Sequence, residues 1–200
     1  MEIRRLLPLL VLVAGSTAAI AQRPSRSGIG YMGGPQVASW HSEAAAYRPV
    51  PGFVLGFYAP CWVGNRCELQ PDLLFSLAGT SKNLPDGGRS KVSSLSAVMP
   101  VCLKIFLSPA LNIQAGVQGG YLLAARSGDQ DISSQLNQLD MGMTVGAGIG
   151  TNAGLDITLR YYNGLRNTLV NDMALFPMNR TLQLTVGHRF IQYSSHRRRK

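Results

Sequence analysis

Beyond residue 14 the chain has no apolar run near the roughly 20 residues that a helix needs to cross a bilayer. Helical periodicity is scarce too, and 22 glycines spread along the 200 residues argue against long helices. Cysteine is rare, with three in all and no C-x-x-C pair. Nothing in the sequence therefore supports a metal centre or any other cofactor. Charged residues make up only 14% of the chain. The one triplet with hydrolase-like residue types is His41-Ser42-Glu43, and neighbours on an extended segment point apart, so it cannot form a base–nucleophile pair by itself. No catalytic constellation is expected, and the chain reads as a non-enzyme.

What the chain does have begins with an export signal. Arg4 and Arg5 form a basic region, residues 6–14 an apolar core, and Ala19-Ile20-Ala21 an A-x-A cleavage site. The expected division is a signal peptide over 1–21, one domain over 22–191 and a basic tail over 192–200. Removing the signal leaves 17 basic and 9 acidic residues. Arg197, Arg198, Arg199 and Lys200 supply half of that excess, so the domain itself is only mildly basic. A solvated tail is the plain reading; contact with anionic lipid is the other, and nucleic acid is not an expected partner of an exported chain. In that compartment Cys61 and Cys67, flanking a turn-like segment, are candidates for a disulfide, with two free thiols as the alternative. Cys102 sits inside an expected strand and reads as a small buried side chain.

The dominant pattern is alternation of period two, the mark of a strand with one apolar and one polar face. In residues 111–121 the odd positions are apolar or small, whereas Asn112, Gln114 and Gln118 lie among the even ones. Eight such segments are expected, at 28–38, 52–60, 67–78, 93–106, 111–125, 139–151, 155–162 and 181–191. The joins alternate in length. Those at 39–51, 79–92, 126–138 and 163–180 are long and polar, whereas 61–66, 107–110 and 152–154 are short. Short turns at one end, long loops at the other and an even strand number describe an outer-membrane barrel. The fold class is therefore all-β, an eight-stranded antiparallel up-and-down transmembrane β-barrel. Its long loops would be extracellular and both termini periplasmic.

In such a barrel the apolar face meets lipid and the polar face fills a narrow interior. Glu68, Asp72, Lys104, Gln114, Gln118, Asp156, Arg160 and Arg189 are the expected interior polar residues. The glycines that alternate along 142–150 would give the bulkier ones room. Phe53, Phe57, Tyr121, Tyr161, Phe190 and Tyr193 are candidates for the aromatic belts, and His188, on the apolar face, reads as a belt residue. A soluble lipocalin-like barrel with its apolar face inward remains the competing architecture, because alternation alone does not say which face is inside.

Several segments, in order, resemble the PorT-type outer-membrane β-barrel proteins of Bacteroidetes and their relatives. They are PGFVLGF from Pro51, LQPDLLFS from Leu69, MPVCLKI from Met99, NIQAG from Asn112, GYLL from Gly120, RYYNGL from Arg160, NRTLQL from Asn179 and GHRF from Gly187. The resemblance implies an outer-membrane eight-stranded barrel and implies little about activity. The family more often has Glu where this chain has Asp72, and this chain runs ten residues beyond Phe190. The expected role is structural, adhesive or export-associated, exerted through the loops. The expected partners are outer-membrane lipid, the barrel assembly machinery and an envelope or secretion component, with the barrel itself a monomer. A lipid-modifying enzyme is the functional alternative.

Overall fold

The computed structural model describes residues 27–42, 47–63, 66–83, 89–128, 130–151, 153–169 and 177–193. The expected signal segment and residues 194–200 of the basic tail lie outside them. Eight long strands carry the fold: β1 (Ser27–His41), β2 (Tyr47–Tyr58), β3 (Cys67–Asn83), β4 (Arg89–Phe106), β5 (Leu111–Ser127), β6 (Leu139–Gly150), β7 (Leu155–Asn167) and β8 (Met178–Tyr193). Each pairs antiparallel with its sequence neighbours, and β1 pairs with β8. The sheet is closed. No helix among the described residues is long and apolar enough to cross a membrane.

Following the register around the wall defines the geometry. Ile149 pairs with Ile157, then the path runs through Val186, Gly33, Leu55, Phe75, Ala97 and Tyr121 to Leu139. One circuit thus returns to β6 ten residues from its start, at 139 rather than 149. Eight strands with that stagger tilt by roughly 40° to the barrel axis. Every residue on the circuit is apolar or glycine, so the path traces the outer, lipid-facing surface.

Burial settles which face is inside. Among the described residues, eighteen polar or charged side chains are buried against eleven apolar ones, while Leu, Ile, Val, Met, Phe and Tyr side chains stand exposed along the outer rows. A soluble protein has the opposite arrangement. The lipocalin-like alternative is thereby overturned. The apolar residues that do lie inside form a patch of Met32, Val54, Tyr58, Leu74 and Val98 on the β1–β4 side.

The strands are longer than the alternation suggested, mainly at their long-loop ends. β3 continues to Asn83 and β4 starts at Arg89, where 78 and 93 were expected. Beyond the apolar belt neither face needs to be greasy, so the ladder continues without an alternating signal. Aromatic contacts gather near the short-turn end, where Tyr31 lies 6.2 Å from Phe190 and 6.0 Å from His188 between ring centres. Trp62 and Phe106 add a pair at 5.3 Å. At the other end Trp40 meets Tyr47 edge-on at 5.5 Å. Phe53, Phe57, Tyr121, Tyr161 and Phe190 are all exposed on the outer face, and Tyr193 ends β8 in register with Ser27.

An arginine placed at the middle of the outer face should be costly in proportion to its depth. Val145→Arg, central on β6, is expected to lower stability by about 2–4 kcal/mol, and Leu107→Arg, in a short turn, by about 0–1 kcal/mol. Urea titrations of folding into lipid vesicles would measure both, and equal losses would contradict the assignment of the lipid-facing surface.

Candidate functional site

Because successive strand residues alternate faces, the even-numbered positions of β3, β4, β5 and β7 all converge on the lumen. Glu68, Asp72, Lys104, Asp156, Arg160 and Arg189 are all buried there, three acids and three cations. Arg160 Nη1 donates to Asp72 Oδ2 at 2.8 Å, and Gln70 Nε2 donates to the other oxygen at 2.7 Å. Arg160 also reaches Gln114 Oε1 at 3.5 Å. β3 and β7 are four strands apart whichever way the ring is counted, so the Asp72–Arg160 pair spans the barrel diameter.

Closer to the short turns a second group forms. Arg189 Nη2 lies 3.4 Å from Asp156 Oδ2 and 3.9 Å from Glu68 Oε2, and Lys104 Nζ lies 3.9 Å from Glu68 Oε1. The longer two are charge contacts and not hydrogen bonds. Tyr58 donates its hydroxyl to Asp156 Oδ2 at 2.9 Å. Gly30 makes room for that ring: a Cβ at this position would run into Tyr58. Gly146 does the same for the Arg160–Gln114 layer, since its Cβ would meet Gln114 Nε2 at 3.1 Å and the Leu159 carbonyl oxygen at 2.5 Å. Balanced charge and ring packing together fill the lumen in this half.

A third layer lies nearer the long loops. Gln36 Nε2 donates to Ser76 Oγ at 2.7 Å and to the Leu77 carbonyl at 2.8 Å, and Gln183 Nε2 donates to Gln36 Oε1 at 3.0 Å. The carbonyl of Leu77 borders a break in the β2–β3 ladder, where the register shifts between Pro49 and Phe53. Gln36 thus bridges a gap that the backbone leaves. Gly52, directly opposite Gln36 on β2, leaves no side chain in its way.

Above this layer the lumen opens into a chamber of about 60 Å³, walled by residues such as Ser76, Thr80, Ser96 and Gln118. The β5–β6 connection roofs it. Gly128, at φ 60°, turns the chain back so that Gln130 pairs with Ser127 and Asp131 with Arg126. Positive φ is the conformation such a two-residue turn requires. Asp131 Oδ1 then accepts from the Ser133 amide at 2.8 Å, and the Ser133 hydrogen bonds hold its carboxyl below the ordinary value. Leu136 is buried, bridged to Leu169, and Asn137 Nδ2 donates to the Asn167 carbonyl at 2.7 Å.

The structure gathers seven of the eight expected interior residues into the charged half, and puts Gln118 in the chamber instead. The sequence reading did not single out Tyr58 or Gln36, although their even positions carried the same signal as their neighbours. It also missed Asp140 and the roof, for which the polar connection gave no sign. The Cys61–Cys67 disulfide is not formed; Cys61, Cys67 and the buried Cys102 are all free. Register explains this. Cys61 pairs with Leu69, two residues beyond Cys67, and such diagonal neighbours stand about 7–8 Å apart, beyond disulfide reach. His41 is exposed at the end of β1 beside Ser42, and Glu43 lies outside the described residues. No cluster of three His, Cys, Asp or Glu able to hold a metal occurs among the described residues.

A closed antiparallel sheet of eight strands has known counterparts. The family described as an outer membrane protein beta-barrel domain matches residues 20–170. The chain belongs to that family. As an outer-membrane barrel it works with its outer rows in lipid. No curated protein matches the sequence. Among solved structures, it is similar to Neisserial surface protein A, at 13% identity and a TM-score of 0.60, over 82% of this chain and 98% of that one. It also matches Ail, the attachment invasion locus protein of Yersinia pestis, at 14% identity and 0.44, over 82% and 99%. A third match is the outer membrane enzyme PagL, at 13% and 0.39, over 77% and 97%. At these identities the likeness concerns the fold alone, and of the three only the first has a TM-score that bears on it.

The trans-lumen pair sets a measurable energy. Arg160→Met strands Asp72 as an uncompensated buried charge and should cost about 3–5 kcal/mol. Adding Asp72→Leu should recover most of that loss, because an apolar replacement of both partners removes the stranded charge. Urea unfolding in vesicles reads both; a double variant no more stable than the single would show that the pair is not the source.

Proposed function

We propose that this protein is a non-enzymatic outer-membrane barrel that serves as a rigid mount for its four long connections, in a structural, adhesive or export-associated role of the PorT type. The observation that carries this reading is the filled lumen. Three cations and three carboxylates, cross-linked from β3 to β7 and from β2 to β7, occupy the short-turn half. A lumen so occupied has no wide aqueous path, and an eight-stranded barrel is only wide enough for its own side chains. Recognition then falls to the loops, as it does on other rigid scaffolds. In this reading the long loops face outward from the cell, and the start of β1 and the end of β8 face the periplasm.

The reading is tested on two fronts. Planar bilayers containing the purified barrel should show no sustained ohmic conductance. Replacing residues 43–46, 84–88, 128–138 or 170–176 by short Gly-rich turns should leave the heat-dependent shift in electrophoretic mobility intact and reduce cell attachment or protein secretion in at least one variant. Steady single-channel conductance would overturn the reading, and unchanged attachment and secretion in all four variants would overturn its adhesive and export-associated forms and leave only the structural one. Lipid A mass spectra that differ with and without the protein would instead favour a lipid-modifying enzyme.

A further inference from the structure

The outer wall carries a groove on its long-loop side, across the adjacent strands β2, β3, β4 and β5. Two irregularities bracket it. The β2–β3 ladder breaks between Pro49 and Phe53, and the β4–β5 register shifts between Leu95 and Ser96. Elsewhere Leu, Ile, Val, Met, Phe and Tyr fill the outer rows, whereas here Gly52, Ala78 and Ala124 stand among Pro51, Leu77 and Leu95. Gly52 admits nothing larger, since a Cβ there would run into the Leu77 carbonyl. The hollow so left has a volume of about 280 Å³. Its character changes with height. Leu77, Leu95 and Ala124 share one register level, and Ser93 and Arg126 share the level two residues nearer the loops. At about 3.3 Å per residue, Arg126 is rooted roughly 7 Å beyond that apolar level. Its neighbour Ala125 is buried, so the exposed Arg126 side chain points outward. No ion pair includes Arg126 among the described residues. Asp131, across the β5–β6 turn from it, is exposed and accepts from the Ser133 amide. Of the influences on that carboxyl the Arg126 charge is the smallest.

We propose that this groove seats one acyl chain of lipid A, with a lipid phosphate held by Arg126. The position of the groove identifies its occupant. The level of Leu77, Leu95 and Ala124 belongs to the rows that face hydrocarbon, so an acyl chain covers it. The polar level of Ser93 and Arg126 lies where a headgroup begins. A guanidinium presents paired N–H donors that match phosphate oxygens, and a charge-assisted bond of that kind is among the strong ones. A phosphate monoester, as on the sugars of lipid A, carries more charge and one more acceptor oxygen than the diester of a phospholipid. The choice of the outer-leaflet lipid rests on the outward orientation proposed for the long loops. Where the outer rows are closely filled, lipids meet no such recess, so one lipid here is held while its neighbours exchange.

The probe is lipid A, added to the full-length chain folded in neutral detergent micelles and read by native mass spectrometry. One lipid A per barrel should be retained. Removing the phosphates from the lipid, or the cation by Arg126→Gln, should each lower retention by about tenfold. Ala124→Trp fills the hollow with a side chain that a membrane interface accepts. It should lower retention at least as much, with Arg126 still in place. Arg48→Gln removes an exposed cation of β2 that does not line the groove, and it should change retention little. The mobility shift on heating, preserved in all three variants, reports an intact barrel. Phosphatidylglycerol, a diester, should be retained several-fold less than lipid A, and equal retention would overturn lipid A as the occupant. No retained lipid A, full retention by a folded Ala124→Trp variant, or equal losses from Arg48→Gln and Arg126→Gln would overturn the groove itself. Conductance, attachment and secretion are separate readouts, so failure of the groove and failure of the barrel as a mount are told apart.

Discussion

An unpaired backbone amide in hydrocarbon costs several kcal/mol, and no water is there to relieve it. The remainder of this structure depends on that constraint. A sheet of eight strands satisfies it only when β1 finds β8, so closure is a condition of residence in the membrane. Closure in turn creates an inside, and the ten-residue stagger fixes which side chains share each level of it. The wall comes first, and the lumen inherits its geometry.

Within that geometry the lumen is organised by height. Near the short turns lie charges in balance, with Tyr58 seated over Gly30 and tied to Asp156. In the middle, amides of Gln36 and Gln183 bridge strands and cover the break in the β2–β3 ladder. Towards the long loops small side chains leave a space, closed by a strap from the β5–β6 connection. The lumen thus runs from paired charges and filled space near the short turns to small side chains and open space near the long loops. Buried ion pairs add little net stability over apolar packing. Their use here is positional, since a slipped register would turn every one of them towards lipid.

Much of this was legible in the sequence, and for a plain reason. Period-two alternation reports a face, so Asp72, Arg160 and Arg189 announced the lumen as soon as Leu73, Leu159 and Phe190 announced the lipid. Strand ends were less legible because above the apolar belt both faces are polar, as at Ser93 and Ser94, and the alternation fades while hydrogen bonding continues. Gln118 carried the right face but not the right neighbours: parity gives direction and not height. The chamber was invisible for a different reason. Leu136 and Asn137 belong to a connection whose composition says only that it is polar, and their placement depends on Gly128 turning the chain back. The cysteine pair failed on register, which sequence spacing does not supply.

The tie between Asp72 and Arg160 also bears on how the barrel can enter a membrane. The partners lie 88 residues apart in the chain. β3 therefore holds a carboxylate whose counter-charge arrives only with β7, whereas Glu68 meets Lys104 on the next strand and Arg189 only with β8. Were strands admitted one at a time, β3 would carry Asp72 into hydrocarbon with its cation still four strands away. The wiring of the lumen thus favours a pathway in which most of the wall assembles at the bilayer surface, ion pairs forming as it curls, and crosses as a nearly finished cylinder.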